Sequence, residues 1–171
     1  MIRPCAVLLC ALSTLMFASG QHVGSTESGS TRNRTFTPRD AERILTGSCE
    51  LMSSTSRFPD SLKSAFAETT KQQKFALANP GDRYQETDVI KGRELPSRRL
   101  VVGGRCQEFW FIHYEQGGIG HSYAVVFFQG DSNGRLSLVW GGRGFTRADT
   151  VADLRNEIAK KLFSDDLPFY W

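Results

Sequence analysis

From Arg98 onward the hydrophobic pattern of this chain alternates with a period of two, and four such runs crowd into residues 98–140. Residues 98–102, 107–115, 121–129 and 135–140 are rich in Phe, Val, Trp and Tyr, side chains suited to a pleated, half-buried surface. The connectors are Gly103-Gly104, then 116–120, then 130–134 with its Asn133-Gly134 turn signal. Each is too short for a crossover helix, so neighbouring strands must pair antiparallel. The segment therefore reads as a meander, with Gly141-Gly142-Arg143-Gly144 as its end. In 107–115 both faces carry large apolar groups, which predicts a central strand covered on two sides.

Ahead of the sheet the period is helical. Thr37 is a capping residue, Pro38 suits a first helical position, and Asp40 favours the positive end of the dipole. Ala41, Ile44, Leu45, Ser48, Leu51 and Met52 then share one face, flanked by Cys49. A second helix is expected after Phe58-Pro59-Asp60, carrying Leu62, Ala65, Phe66, Gln73, Ala76 and Leu77, and stopped by Asn79-Pro80-Gly81-Asp82. Residues 83–97 offer only a short strand near 87–90. A last helix over 150–163 sets Val151, Leu154, Ile158 and Leu162 on one face, and Phe169-Tyr170-Trp171 is expected to dock on the body. The predicted architecture is α+β: two N-terminal helices, a four- to five-stranded antiparallel meander and one C-terminal helix, with helices against one sheet face.

Residues 1–20 read as an export signal: Arg3, an apolar run over 5–17, then Ala18-Ser19-Gly20 where a signal peptidase cuts. That run is shorter than the ~20 residues a membrane span needs. The processed chain is expected to be secreted or periplasmic and not membrane-spanning. Residues 21–36 are a polar, flexible lead-in with an Asn33-Arg34-Thr35 sequon, and 37–171 form a single domain. The full chain holds 21 basic and 18 acidic residues, a net charge of +3. Losing Arg3 brings this still nearer balance, which argues against a nucleic-acid partner. Cys5 and Cys10 leave with the leader, so Cys49 and Cys106 form the expected disulfide of an oxidising compartment.

Candidate chemistry gathers on the hairpin of 107–115 and 121–129. A symmetric register sets Glu115 opposite His121, His113 opposite Tyr123, Phe111 opposite Val125 and Phe109 opposite Phe127. His113, Glu115, His121 and Tyr123 then form a polar end beside a glycine-rich loop, the expected binding residues; a one-residue slip would scatter them. The basic run Lys91, Arg93, Arg98, Arg99 and Arg105 reads as a solvated edge strand. His-x-Glu followed at a distance by His fits no familiar metal-ligand spacing, so no metal and no cofactor is expected.

Gly47-Ser48-Cys49, followed much later by Gly120-His121-Ser122-Tyr123-Ala124-Val125-Val126, resembles the papain-like cysteine hydrolases. The resemblance implies Cys49 as nucleophile and His121 as its base, acting on an amide bond in peptide or cell-wall material. The chain departs from that pattern in three ways. Cys49 falls inside a helix already under way from Pro38, and Trp140-Gly141-Gly142 stands where a polar orienting residue belongs. A bridge to Cys106 would also consume the thiol. The sequence thus favours a non-catalytic domain that binds or neutralises an extracytoplasmic protein or small ligand, with the Cys49–His121 hydrolase as the alternative.

Overall fold

The period-two segments pair into a five-stranded antiparallel sheet of order β1-β2-β3-β4-β5, seen in a computed structural model that describes residues 36–88, 95–118 and 120–164. The strands are β1 (Cys49–Leu51), β2 (Arg98–Cys106), β3 (Phe109–Gln116), β4 (Ser122–Gly130) and β5 (Leu136–Gly144), with helices α1 (Pro38–Ile44), α2 (Asp60–Thr69) and α3 (Val151–Ala159). The chain is α+β. All of this lies in one unit, Arg34–Trp171. The expected leader, most of the expected lead-in, the end of the strand expected near 87–90 and the terminal aromatics lie outside the described residues.

Helices cover both sheet faces, which corrects the expected single covered face. The reason is visible in β3, whose alternate residues feed two cores. Ile112 and Tyr114 join Leu100, Val126 and Phe128 under Phe58, Leu62 and Phe66 of the α2 region. Phe111 joins Val102, Val125 and Phe127 under Ala41 and Ile44 of α1 and Leu154 and Ile158 of α3. Phe111, Ile112, Tyr114, Val125, Val126, Phe127 and Phe128 are essentially sealed from water. Burying seven such side chains in two layers is the main hydrophobic drive of the fold, since each contributes about 1.5–3 kcal/mol before entropy is charged.

Several boundaries differ from the sequence reading. The first helix stops at Ile44 instead of running on through Met52. Cys49–Leu51 pairs with β2, setting Cys49 against Cys106, and the two are joined in a disulfide. Leu51 is exposed while Met52 is buried, the alternation of a strand rather than of a helix. α2 ends at Thr69, where Lys71 turns left-handed at φ 50°. Gln73, Ala76 and Leu77 therefore lie beyond the helix, and the Gln72 side chain brackets Ala76 through both its amide atoms. Ala78 then bonds to Arg98 and Leu100 across the outer side of β2. With β1 on its other half, β2 is an interior strand and not the solvated edge that was expected.

The glycine runs also behave differently. Gly103 and Gly104 do not turn the chain; they pair with Ile112 and Phe111, and the reversal comes at Gln107 (φ 58°) and Glu108. Gly141–Gly144 likewise continues β5 against β4. A Cβ on Gly144 would sit 2.5 Å from the Leu162 carbonyl oxygen, and one on Gly142 would sit 2.7 Å from Phe163 Cβ, so the C-terminal segment packs there only because side chains are missing. α3 opens as expected, with the Thr150 hydroxyl accepting from the Asp153 N–H. It ends at Ala159, short of the expected 163, and Leu162 is exposed at 45%.

Candidate functional site

Glu115 lies near the end of β3 on the face shared with Phe111, and its side chain is 4% exposed. A bare carboxylate at such a position is costly unless charged and hydrogen-bonding partners surround it. Among the described residues, four side chains do so. Arg99, directly opposite on β2, forks onto it with Nη2 3.0 Å from Oε2 and 3.1 Å from Oε1 and Nε 3.3 Å from Oε2. His121 Nε2 is 3.0 Å from Oε1, and the Tyr84 hydroxyl donates to the same oxygen. Arg147 Nη1 reaches Oε2 at 3.3 Å.

The electrostatics follow from that geometry. Burial alone pushes the Glu115 carboxyl up, but hydrogen bonds from Tyr84 and Arg99, with the charges of Arg99 and His121, outweigh it and hold the group below its ordinary value. Burial, then the Glu115 bond and charge, drive the Tyr84 phenol upward, so it stays protonated and donates. The Arg99 guanidinium lies 4.4 Å over the Tyr84 ring, a cation–π contact that fixes both. Arg147 also holds Asp149 at 2.6 Å, and that bond raises its pKa.

Glu115 thereby ties three irregular segments to one end of the sheet: the stretch bearing Tyr84, the β3–β4 loop bearing His121, and the exit from β5 bearing Arg147. Backbone bonds reinforce the first two, since Gly118 N–H donates to Glu86 O, Gly117 N–H to Ser97 O, and Gln85 N–H to Pro96 O. A Cβ on Gly117 would lie 1.9 Å from the Gln85 carbonyl oxygen, so this seam closes only over glycine.

The predicted binding residues all meet at this end, in a register displaced by two. Glu115 faces Tyr123, His113 faces Val125, Phe111 faces Phe127 and Phe109 faces Gln129. The displacement arises because Gln116 still pairs with Ser122, which leaves His121 in the loop. An even slip keeps every side chain on its expected face, so the cluster survives as a diagonal contact. His121 lies 5.1 Å and His113 6.0 Å from the Tyr123 ring, centre to centre. Their environments diverge, however. The His121 side chain is 48% exposed, whereas His113 is fully buried.

The structure does not bring Cys49 and His121 together. Cys49 is bonded to Cys106, whose backbone pairs with Phe109 at one end of β3, while His121 adjoins Ser122, which pairs with Gln116 at the other. The length of β3 separates those ends by about 23 Å. Cys49 also starts an edge strand, whereas the papain-like pattern calls for a nucleophile at the start of a helix. Among the described residues, no group of three or more His, Cys, Asp or Glu is placed to hold a metal ion. None of their helices is long and apolar enough to cross a membrane.

Sequence reasoning missed Tyr84, Arg147 and the role of Arg99. Tyr84 and Arg147 come from segments without periodicity, so nothing local marks them. Arg99 does not follow from the turn alone: a turn at 107–108 would set it opposite Gln116, and the register shift in β2 between Leu100 and Val102 moves it opposite Glu115. Compared with protein-family models, curated proteins and solved structures, the chain matches none.

Proposed function

We propose that this protein is an exported, non-catalytic binding domain, secreted or periplasmic, that engages another extracytoplasmic molecule through the rim built on Glu115. The observation that carries the reading is the saturation of Glu115 by Tyr84, Arg99, His121 and Arg147. A carboxylate so held is a tie between loops; it is neither free to take a proton from a substrate nor open to one. Loops fixed to a rigid sheet make a pre-ordered surface, which lowers the entropy cost of binding. The exposed groups on that surface suit an interface. Phe145, 80% exposed, directly follows Gly144, which pairs with Tyr123 at this same end, and half-exposed Arg147 and His121 accompany it. Aromatic and arginine side chains are the usual anchors of protein contacts. The Cys49–Cys106 bridge fits export to an oxidising compartment.

Site-specific photocrosslinking tests this. With p-benzoyl-phenylalanine placed at Phe145 of the full chain in its native host, irradiation is expected to give a discrete adduct, absent when the probe replaces Asp131 at the opposite end of β4. Equal labelling from both positions, or none from Phe145, overturns the reading.

A further inference from the structure

His113 is a fully buried histidine whose two ring nitrogens are both engaged, and the partners dictate its state. Nδ1 lies 2.9 Å from the carbonyl oxygen of Ala124 on β4, so it must carry hydrogen and donate. Nε2 lies 3.3 Å from the backbone nitrogen of Ala148, so it must be bare and accept. One neutral tautomer satisfies both contacts. The ring thereby links the sheet interior to the β5 exit segment, one residue from Arg147 and three from Phe145. A proton on Nε2 would oppose N–H to N–H in a sealed space and leave the buried Ala148 amide without an acceptor.

We infer that His113 is an acid-sensitive latch on the binding rim: neutral, it pins the segment carrying Phe145 and Arg147 to the sheet, and on protonation it releases that segment. The inference rests on the rim being the binding surface, since it concerns the regulation of that surface.

The groups facing His113 from each packed element support it. Val102 on β2 and Val125 on β4 are apolar neighbours, Tyr123 presents its ring, and Phe163 closes the remaining side at 5.7 Å. Glu115 on its own strand and Asp149 on the exit segment favour the charged ring, while Arg147 opposes it. Burial is the largest influence, and it brings the closed-state pKa down to about 4. In an open segment the ring would return to the ordinary value near 6.5. Glu115 is held below the usual carboxylate range, so its attraction for Arg147 is nearly constant above pH 5. Proton uptake on opening then multiplies the open-to-closed ratio about thirty-fold between pH 7.5 and 5.

Amide hydrogen exchange on the full chain reads this directly. After correction for intrinsic rates, opening at Ala148 is expected to rise about thirty-fold from pH 7.5 to 5. It should also proceed through a cheaper opening than that of the sheet amide of Val126. His113→Gln, which cannot charge, should abolish the rise. Ala148 and Val126 exchanging together, or a pH-independent Ala148, overturns the latch. Should His113→Gln fail to fold, the imidazole nitrogen shifts of the unaltered protein decide: a neutral Nδ1–H ring down to about pH 5 supports the latch. Titration near the ordinary value, or an Nε2–H tautomer at neutral pH, refutes it. No ligand enters these measurements, so the latch can fail while the Phe145 crosslink stands, and the reverse.

Discussion

Replacing Glu115 by Gln keeps the shape of the side chain and removes the charge that organises the rim. Gln retains one acceptor oxygen and turns an amide donor toward groups that are themselves donors, among them Arg99, Arg147 and Tyr84. Breaking a fully sealed ion pair from one side costs about 3–5 kcal/mol. Here Arg99 is 21% and Arg147 41% exposed, so water recovers part of the loss. That places the expected destabilisation at about 2–3 kcal/mol, with tightly forked Arg99 contributing most. Urea unfolding of Glu115→Gln should show the midpoint falling by about 1–2 M at an unchanged slope. The pH dependence supplies an independent check. Glu115 titrates in the folded protein below the 4.5 of an unperturbed carboxyl. Its contribution is therefore complete above that value and is lost as pH falls through the folded pKa. The gap between the two proteins should be constant from neutrality to about pH 5 and then narrow. Down to about pH 5 the His113 ring stays neutral in the folded state, so its acid loss is shared by both proteins and drops out of the difference over that range. A change under about 0.5 kcal/mol, the size of an ordinary surface substitution, would refute the claim that Glu115 ties the loops. So would a gap that persists in strong acid.

Two further perturbations separate the two ends of the sheet. Joint replacement of Cys49 and Cys106 by Ser opens a loop spanning 57 positions and should cost about 3–4 kcal/mol in a thermal or urea melt, while exchange at the distant Ala148 amide stays unchanged at neutral pH. An unaltered melt, with two free thiols counted in the native parent, would show that the bridge does not hold β1. Gly117→Ala forces a methyl group into the Gln85 carbonyl and should cost about 1–3 kcal/mol through separation of the Tyr84 segment from the β3–β4 loop. Loss of the Tyr84–Glu115 contact, seen as an upward move of the Glu115 carboxyl titration, is the specific readout; a neutral substitution would mean the seam is looser than its geometry.

The sheet was legible because burial on two faces imposes one constraint on every residue of a strand, and that constraint repeats along the sequence. β3 and β4 carry it along most of their length, and the helical spacing of Val151, Leu154 and Ile158 marked α3. Glycine misled for a physical reason. The same residue serves a left-handed turn and a close approach between backbones, and only the fold tells the two apart. Gly103-Gly104 and the run from Gly141 to Gly144 do the second, so reading them as turns cut β2 and β5 short. The shortened β2 then hid Arg99, whose place opposite Glu115 needs both a turn at Gln107-Glu108 and the register shift between Leu100 and Val102, which no period marks. The first helix ran long for a related reason: Ser48, Leu51 and Met52 match a helical period by coincidence, and pairing with β2 overrides it. Tyr84 and Arg147 were illegible in a stronger sense. They lie 31 and 32 positions from Glu115 in opposite directions, and no period connects a side chain in an irregular segment to its partner in a strand. What the pattern did contain was the parity of the hairpin. Glu115 and His121 remain in contact despite the two-residue error in register, because an even displacement preserves the face and a flexible imidazole spans the diagonal. Alternation thus assigns a polar cluster to a face and an end of the sheet more securely than it assigns any pair of opposing residues.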